Sequence, residues 1–418
     1  MSRAQGGSRT YDLVLFGATG FTGSLTADYL ARHGPRDMRW AIAGRDVNRL
    51  QTIAERLSTK TTHAAAVQVI RADSADPVSL RSMVESSRVL ASTVGPFLSH
   101  GEPLVAACAE SGTDYLDITG EAEFVDRMWV AHSATAQRNG SRLVHACGFD
   151  SVPHDLGVWF TLRHLPTDVP LSIAGYVSVH ASFSAGTYHS AVRAFVRARH
   201  SAEVARQRRS REGSPSGRRV GSLPVRPHRV PGRTHRWAVP LPTIDPIVVG
   251  RSARALDRYG PDFRYGHYAD VGGLPLVAAA MVGAGGLLAA AQIPPLRAGL
   301  LKLRSRGDGP DEQRRKASWF RVRFISTADG ETATPDSPQP TSGPGLRPAA
   351  PLLTEVSGGD PGYDETAKML AESALSLAFD ADLPDVAGQL TPVQAMGDQL
   401  LARLQRAGMT FRTVPARR

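Results

Sequence analysis

The sequence predicts an α/β fold: a Rossmann-like doubly wound parallel sheet, a second α+β domain, and C-terminal helices that pack back on the first domain. Two observations predict the first part. A glycine-rich turn follows the short apolar run at 13–16, and strand-like and helix-like segments then alternate to about residue 150. Such alternation is typical of a parallel sheet with helices on both faces. It stops after Cys147, which predicts a second domain over 151–358 and a helical C-terminal segment over 359–418.

The glycine turn is the first predicted cofactor contact. A strand, a tight turn and a helix N-terminus in this order can bind phosphate, because the free N–H groups of the helix face the anion. We expect Gly17 to permit the turn, Gly20 to let the backbone approach a pyrophosphate, and Gly23 to let the helix pack on the strand. The spacing G-x-x-G-x-x-G by itself also fits a turn without ligand. The predicted contacts are Gly17, Ala18, Thr19, Gly20, Phe21, Thr22 and Gly23.

The following segments continue the alternation to residue 150. Apolar runs predict strands at 39–43, 66–70, 88–94, 113–117 and 143–147. Asp46 and the Asp76-Pro77 pair are typical of helix starts, and further helices are expected near 103–110 and 121–138. The nucleotide should therefore lie outside the carboxyl ends of the strands of a domain that spans about residues 10–150.

The end of the second predicted strand favours NADP(H) over NAD(H). An NAD site usually carries an acidic residue there, which accepts a hydrogen bond from the ribose 2′-OH. This chain has Gly44 and Arg45 instead, a pair that leaves room for a 2′-phosphate and supplies a guanidinium to bind it. The other predicted cofactor residues follow the third and fourth strands: Asp73, Val94, Gly95, Pro96 and Phe97.

Composition excludes several kinds of chemistry. Cys108 and Cys147 are the only cysteines, which indicates a reducing compartment. The polar N-terminus predicts no signal peptide, so we expect a cytoplasmic protein. None of the four lysines has a tyrosine four residues before it, so the Tyr-x-x-x-Lys centre of short-chain reductases is absent. The sequence also lacks the G-x-S-x-G, H-E-x-x-H and C-x-x-C motifs, and we predict no metal site.

Three segments beyond residue 150 have unusual compositions. Residues 193–236 carry 13 Arg and two Glu; they are interpreted as a solvated basic loop, or as a surface that docks on an anionic membrane or an acidic carrier protein. Aromatic residues are scarce there, so nucleic acid is not expected as a partner. Residues 271–296 carry no charge, which predicts helices that line an apolar pocket or, alternatively, contact or enter a membrane. Residues 329–351 form a Pro/Thr/Ser-rich insert.

Several motifs together resemble the saccharopine dehydrogenase-like family. Besides the glycine turn, they are found at 40–45, 94–97, 115–121 and 147–153. The later motifs at 309–314, 359–366 and 390–398 are similar to the branch that contains mycobacterial trans-acting enoyl reductases. The resemblance runs from about Tyr11 to Phe411.

This resemblance implies an NADPH-dependent reductase. Its substrate would be an α,β-unsaturated acyl thioester carried by a polyketide synthase during complex lipid biosynthesis. An alternative is a non-catalytic NADP-binding redox sensor or lipid-surface scaffold.

Enoyl reduction requires a general acid near the α-carbon of the substrate. We expect the candidates to face one crevice, with Tyr115 and His154 ahead of the others as proton donors. Structural alternatives remain, since Tyr115 also fits a strand core, Glu121 a helix start, and Asp150 or Ser151 a helix cap. The candidate catalytic residues are Tyr115, Asp117, Glu121 and His154.

Overall fold

The computed structural model describes most of the chain. The described residues are 9–59, 66–181, 197–213, 217–233, 235–279, 309–328 and 351–415, with positions 282, 283, 286 and 296.

A parallel sheet of seven described strands organises the first part of the chain, in the order β14-β6-β5-β4-β1-β2-β3. All of its strand pairs are parallel. Its central strands are buried on both faces, which explains their nearly continuous apolar sequences. The strands are β1 (Tyr11–Phe16), β2 (Trp40–Gly44), β3 (Gln68–Arg71), β4 (Ser87–Ser92), β5 (Asp114–Asp117), β6 (Arg142–Val144) and β14 (Gly388–Leu390).

Helices connect these strands as the sequence predicts. Asp46 accepts a hydrogen bond from the Arg49 backbone N–H, and Asp76 accepts one from Val78, so both aspartates cap helices. The helices are α1 (Phe21–His33), α2 (Val47–Ser58), α3 (Pro77–Glu85), α4 (Phe97–His100), α5 (Glu102–Ser111) and α6 (Ala122–Asn139).

A second, mixed sheet follows. The order of its main path is β15-β13-β12-β7-β11-β10-β9, and β8 pairs with β11. Strands β7 and β11 are parallel, whereas β12 and β13 are antiparallel to their neighbours. The strands are β7 (Leu171–His180), β8 (Arg219–Ser222), β9 (His228–Arg229), β10 (Trp237–Pro240), β11 (Asp262–Val271), β12 (Trp319–Ala328), β13 (Leu352–Gly358) and β15 (Thr410–Val414). The predicted fold class, a Rossmann-like sheet with a second α+β domain, is confirmed.

The C-terminal helices pack back on the first sheet, as predicted. Helix α10 (Asp364–Phe379) contacts α1 and β4, and α11 (Pro392–Arg406) contacts α10 and α7 (Val152–Leu162). The segment 359–418 is not purely helical, however, because β14 extends the first sheet and β15 extends the second.

The basic segment is a second correction. The expected loop at 193–236 contains the helix α8 (Ala198–Glu212) and the short strands β8 and β9. Helix α8 packs on α6, where Arg197 pairs with the buried Glu123 at 2.5 Å. Contacts with a distant helix, which composition does not show, thus order part of this segment.

The uncharged segment and the insert lie mainly outside the described residues. Val271 still belongs to β11, and residues 274–279 are helical. Leu274 and Leu276 are exposed rather than lining a described cavity. The remainder of 271–296 is described only at 282, 283, 286 and 296, and 329–350 is not described. No helix in the described part of the chain is long and apolar enough to span a bilayer.

Candidate active site

The three glycines of the turn differ in how much room each has for a side chain. A Cβ on Gly17, which has φ +101°, would come within 2.7 Å of Thr93 Oγ1, and one on Gly23 would collide with the Gly17 carbonyl oxygen. A Cβ on Gly20 would meet nothing closer than 3.4 Å. No side chain caps α1 at Gly20, so its first-turn N–H groups suit an anion. These features fit the pyrophosphate of a dinucleotide.

Substitutions of Gly23 and Gly20 are expected to have different effects, one on stability and the other on NADPH binding. Gly23→Ala is expected to lower the free energy of unfolding by about 1–3 kcal/mol, because its methyl group overpacks the turn. Gly20→Ala is expected to leave stability nearly unchanged but to weaken NADPH binding at least about tenfold, or 1.4 kcal/mol. Thermal unfolding and calorimetric titration measure the two effects. Equal NADPH affinity in wild type and a folded Gly20→Ala variant would contradict this placement of the phosphates.

The residues between the three glycines contact different parts of the protein. Ala18 is fully buried, and the Phe21 ring packs edge-on against Tyr363, with 4.8 Å between ring centroids. The Thr19 carbonyl accepts a 3.3 Å hydrogen bond from Arg49 Nη2, and the Thr22 carbonyl accepts one from the Thr26 hydroxyl. Phe21 is thus directed to the C-terminal segment, while Arg49 adds a positive charge beside the turn that the sequence analysis did not identify.

Arg45 is available for a 2′-phosphate. It follows Gly44 at the carboxyl end of β2, is exposed, and forms no ion pair within the described residues. Nothing but the Leu50 side chain lies within 4 Å of a Cβ placed on Gly44. The arrangement fits NADPH better than NADH, because the extra phosphate supplies the anion that this guanidinium lacks.

We therefore expect Arg45→Ala to weaken NADPH binding by about 1.5–3 kcal/mol, the range for a charge-assisted hydrogen bond. NADH binding by the same variant serves as the control and should hardly change. Titration of both cofactors by fluorescence checks this. Equal losses for NADPH and NADH would show that Arg45 supports the fold rather than the 2′-phosphate.

The loops after β3, β4 and β5 complete this edge of the sheet. Asp73 accepts a hydrogen bond from the Ala75 N–H and so shapes the loop after β3. Val94, Gly95 and Pro96 lead from β4 into α4, which begins at Phe97. The Glu121 carboxylate, expected to be catalytic, accepts a 2.7 Å hydrogen bond from the Leu98 N–H. Glu121 therefore joins the loop after β4 to the loop after β5.

Tyr115 does not face the crevice, contrary to expectation. Both Tyr115 and Asp117 are fully buried. The Tyr115 hydroxyl donates to Asp117 Oδ2 at 3.0 Å, and burial together with the Asp117 charge raises the pKa of Tyr115 well above its usual value. Asp117 also contacts His145 Nδ1 at 2.7 Å and accepts hydrogen bonds from the Thr119 and Ala146 N–H groups. These contacts place both residues in a buried structural network.

His154 lies in a second buried cluster. Its Nδ1 lies 2.6 Å from Asp245 Oδ1, and the other Asp245 oxygen lies 3.5 Å from His267 Nε2. Burial lowers the pKa of His267 to about 3. Burial alone would raise the pKa of Asp245, but the two imidazoles hold it below its usual value.

The cluster of His154, Asp245 and His267 also has potential ligand atoms close enough together to hold a metal ion. The potential ligand atoms of its two histidines and its aspartate lie within 4.8 Å of one another. His154 Nδ1 and Asp245 Oδ1 are in contact, but neither atom has a hydrogen-bond partner within the described residues.

Asp150 differs from His154 and Asp245 in its exposure to solvent. It is partly exposed, follows β6 and precedes α7. A Cβ on Gly120, in the loop after β5, would lie 2.7 Å from Asp150 Oδ2. Burial and the Asp245 charge raise the pKa of Asp150 to about 7, although His154 opposes the shift. A carboxyl group that is half protonated at neutral pH suits a general acid.

The sequence places Asp150 among the candidates that follow the sixth predicted strand, with a helix cap as its alternative, and does not mark Asp245 or His267. Asp245 begins α9 (Asp245–Ala255), and His267 lies on β11. No local motif marks either residue. Only the parallel pairing of β11 with β7 and the packing of α9 on α7 bring them to His154.

Comparison with known proteins agrees with this architecture. Residues 13–144 match the family model described as the saccharopine dehydrogenase NADP-binding domain. A Mycobacterium tuberculosis protein, provisionally named a trans-acting enoyl reductase, is 36% identical over 97% of this chain and 98% of its own length. Proteins named trans-acting enoyl reductase from Mycobacterium bovis and Mycobacterium ulcerans are each 33% identical, over 97% and 98% of this chain respectively and 98% of their own lengths.

The chain belongs to the saccharopine dehydrogenase-like family, in the branch of trans-acting enoyl reductases. Its first domain is thus an NADP-binding oxidoreductase domain. Saccharopine dehydrogenase from Saccharomyces cerevisiae has the same overall fold. Its TM-score is 0.55 at 12% identity, and the match covers 96% of this chain and 99% of the yeast chain.

Proposed function

We propose that this protein is an NADPH-dependent enoyl reductase that reduces an α,β-unsaturated acyl thioester carried by a polyketide synthase in complex lipid biosynthesis. The observation that supports it most directly is similarity over nearly the whole length to proteins named trans-acting enoyl reductase. The proposal includes a cytoplasmic location and contact with a membrane surface. The two free, buried cysteines support the cytoplasmic location, because free thiols are typical of reducing compartments.

Different described residues would bind the phosphates and the reacting end of NADPH. The open face of Gly20 and the side chain of Arg45 would bind the phosphates of NADPH, which supplies hydride when bound. The loop at 94–97 would hold the reacting end near the carboxyl end of β4, as in other doubly wound reductases.

Protonation of the substrate falls to Asp150. Once the β-carbon of the thioester has received hydride, the substrate is an enolate that must gain a proton at its α-carbon. The Asp150 carboxyl group would donate that proton and become a carboxylate, which water then reprotonates. His154 and Asp245 are buried and would act as positioning residues, because burial chiefly raises the pKa of Asp150, Asp245 adds to this shift and His154 opposes it.

The proposal is tested by adding crotonyl-N-acetylcysteamine and crotonyl-phosphopantetheine to the protein with NADPH. We expect loss of NADPH absorbance with equimolar butyryl thioester formed, identified by mass spectrometry. NADPH binding without oxidation by any enoyl thioester, including long-chain ones, would overturn the proposal and favour the redox sensor or scaffold.

A further inference from the structure

A polar cavity lies at the carboxyl ends of β6 and β14. It is bounded by α6, α8 and α9, and its empty volume, including the open mouth, is about 400 Å³. Apolar side chains form part of its wall. These are Val125, Ile244, Val248 and Leu390.

Two buried guanidinium groups, Arg208 and Arg251, line this cavity. Arg208 is fully engaged: Nε and Nη2 donate to the two Glu212 oxygens at 3.3 and 3.1 Å, and Nη1 donates to Asp126 and Gln389. Arg251 is not. It donates through Nη2 to the Asp126 oxygen that Arg208 already uses. Its other donors have no partner within the described residues.

His145 supplies an independent observation on the same cavity. Its Nδ1 lies 2.7 Å from Asp117 Oδ2, which fixes the ring. Its Nε2 is buried and has no hydrogen-bond partner among the described residues. Buried polar atoms are normally paired. With Nδ1–H donating to Asp117, Nε2 is an acceptor, so in the wall of a cavity it points to water or to a ligand that carries a hydroxyl or acid proton.

We propose that this cavity is a subsite for a small oxyanion, a phosphate ester or a carboxylate, held chiefly by the free donors of Arg251. A guanidinium binds either anion through paired N–H groups. Glu212 pairs with Arg208, whereas Arg251 shares its one described acceptor, the Asp126 oxygen, with Arg208, so the unused donors belong to Arg251. Burial and the neighbouring Arg208 lower the pKa of Arg251 to about 9, and an added anion would oppose that shift.

Two sources could supply the anion. In the setting of the proposed function, on which this part of the inference rests, the phosphodiester of a phosphopantetheine arm is one source. A carboxylate on the acyl substrate is the other. Direct binding of inorganic phosphate and of acetate requires no turnover, so its outcome is separate from that of the proposed reductase activity.

The first test compares wild type with Arg251→Gln in calorimetric titrations with phosphate and with acetate. Arg254→Gln is the matched control, because Arg254 lies on the same helix outside the cavity wall. We expect phosphate or acetate to bind wild type at millimolar Kd, Arg251→Gln to weaken binding at least tenfold, and Arg254→Gln to change it less than twofold.

A second pair of variants leaves the arginine network intact if Arg251→Gln fails to fold. Leu390 is half-buried in the cavity wall, so Leu390→Glu should repel an anion, while Leu390→Gln should not. We expect Leu390→Glu alone to abolish phosphate or acetate binding. Absence of binding to wild type at 50 mM, or equal binding to all variants, would overturn the proposal and leave an internal ion network.

The source follows from kinetics with the same variants. If the anion is the phosphate of the arm, Leu390→Glu raises KM for crotonyl-phosphopantetheine at least tenfold and leaves that for crotonyl-N-acetylcysteamine unchanged. If it is a substrate carboxylate, KM rises for an enoyl thioester that ends in a carboxylate, whichever carrier is used.

Discussion

Replacement of Asp150 by Asn is expected to lower kcat for enoyl thioester reduction by about 10²–10⁴, the usual contribution of a general acid. Asn keeps the shape of the side chain but has no acidic proton for the α-carbon. NADPH affinity should remain within about twofold of wild type, because the phosphates are bound at the turn and at Arg45. Asp168→Asn, which removes an exposed carboxylate, is the control and should keep wild-type kcat.

The pH dependence gives a sharper version of this expectation. The pKa of Asp150 is raised to about 7, so its protonated form is lost as pH rises through 7, and kcat of the wild type should fall over that range. In Asp150→Asn the residual rate should not show this step. A variant that keeps kcat within about threefold and the same pH profile would remove Asp150 as the donor.

The pH dependence of stability tests the raised pKa of Asp150 without any measurement of turnover. A carboxyl whose pKa is about 7 when folded, against an ordinary value of 3.8, binds more protons in the folded state than in the unfolded chain between these values. Its contribution is therefore full below pH 4 and is lost as pH rises towards 7. The free energy of unfolding of Asp150→Asn should vary less between pH 4 and 7 than that of wild type.

The parts that the sequence predicts well are those with local causes. A tight turn with φ +101° at Gly17 requires glycine, and Asp46 and Asp76 cap helices through bonds to residues two or three positions away. These signals are contained in a few neighbouring residues. The order of strands and helices up to residue 150 was predictable for the same reason.

The parts that it missed depend on distant contacts. Because β5 is buried on both faces, no apolar–polar alternation shows which face Tyr115 occupies, and it was placed in the crevice. The region around His154 is completed by Asp245 and His267, which follow it by about a hundred residues. Helix α8 is highly polar, and the contacts that stabilise it, such as the pair Arg208–Asp126, are likewise invisible to local patterns.

Asp117→Ala is expected to lower the free energy of unfolding by about 3–5 kcal/mol, the effect of leaving several buried donors without a partner. Oδ1 accepts the Thr119 and Ala146 N–H groups, each at 3.0 Å. Oδ2 accepts the Tyr115 hydroxyl at 3.0 Å and lies 2.7 Å from His145 Nδ1. Alanine would leave all four groups without this partner in a site that water does not reach.

The same contacts hold a strained backbone position. Ala146 has φ +60°, in the left-handed region that a non-glycine residue occupies at a cost of about 1–2 kcal/mol, and its N–H is fixed by Asp117. This residue begins the loop that carries Asp150, so loss of Asp117 should also displace the proposed proton donor and lower kcat.

Asp117→Asn separates the two oxygens. Its carbonyl can keep both backbone N–H groups, while its amide group replaces the acceptor used by Tyr115 and His145, so an intermediate loss of about 1–2 kcal/mol is expected. Urea unfolding followed by circular dichroism, with tryptophan fluorescence as a second probe, measures the series. A loss below about 1 kcal/mol for Asp117→Ala would mean that water or a relaxed backbone satisfies these donors, and that Asp117 is not the residue that fixes this loop.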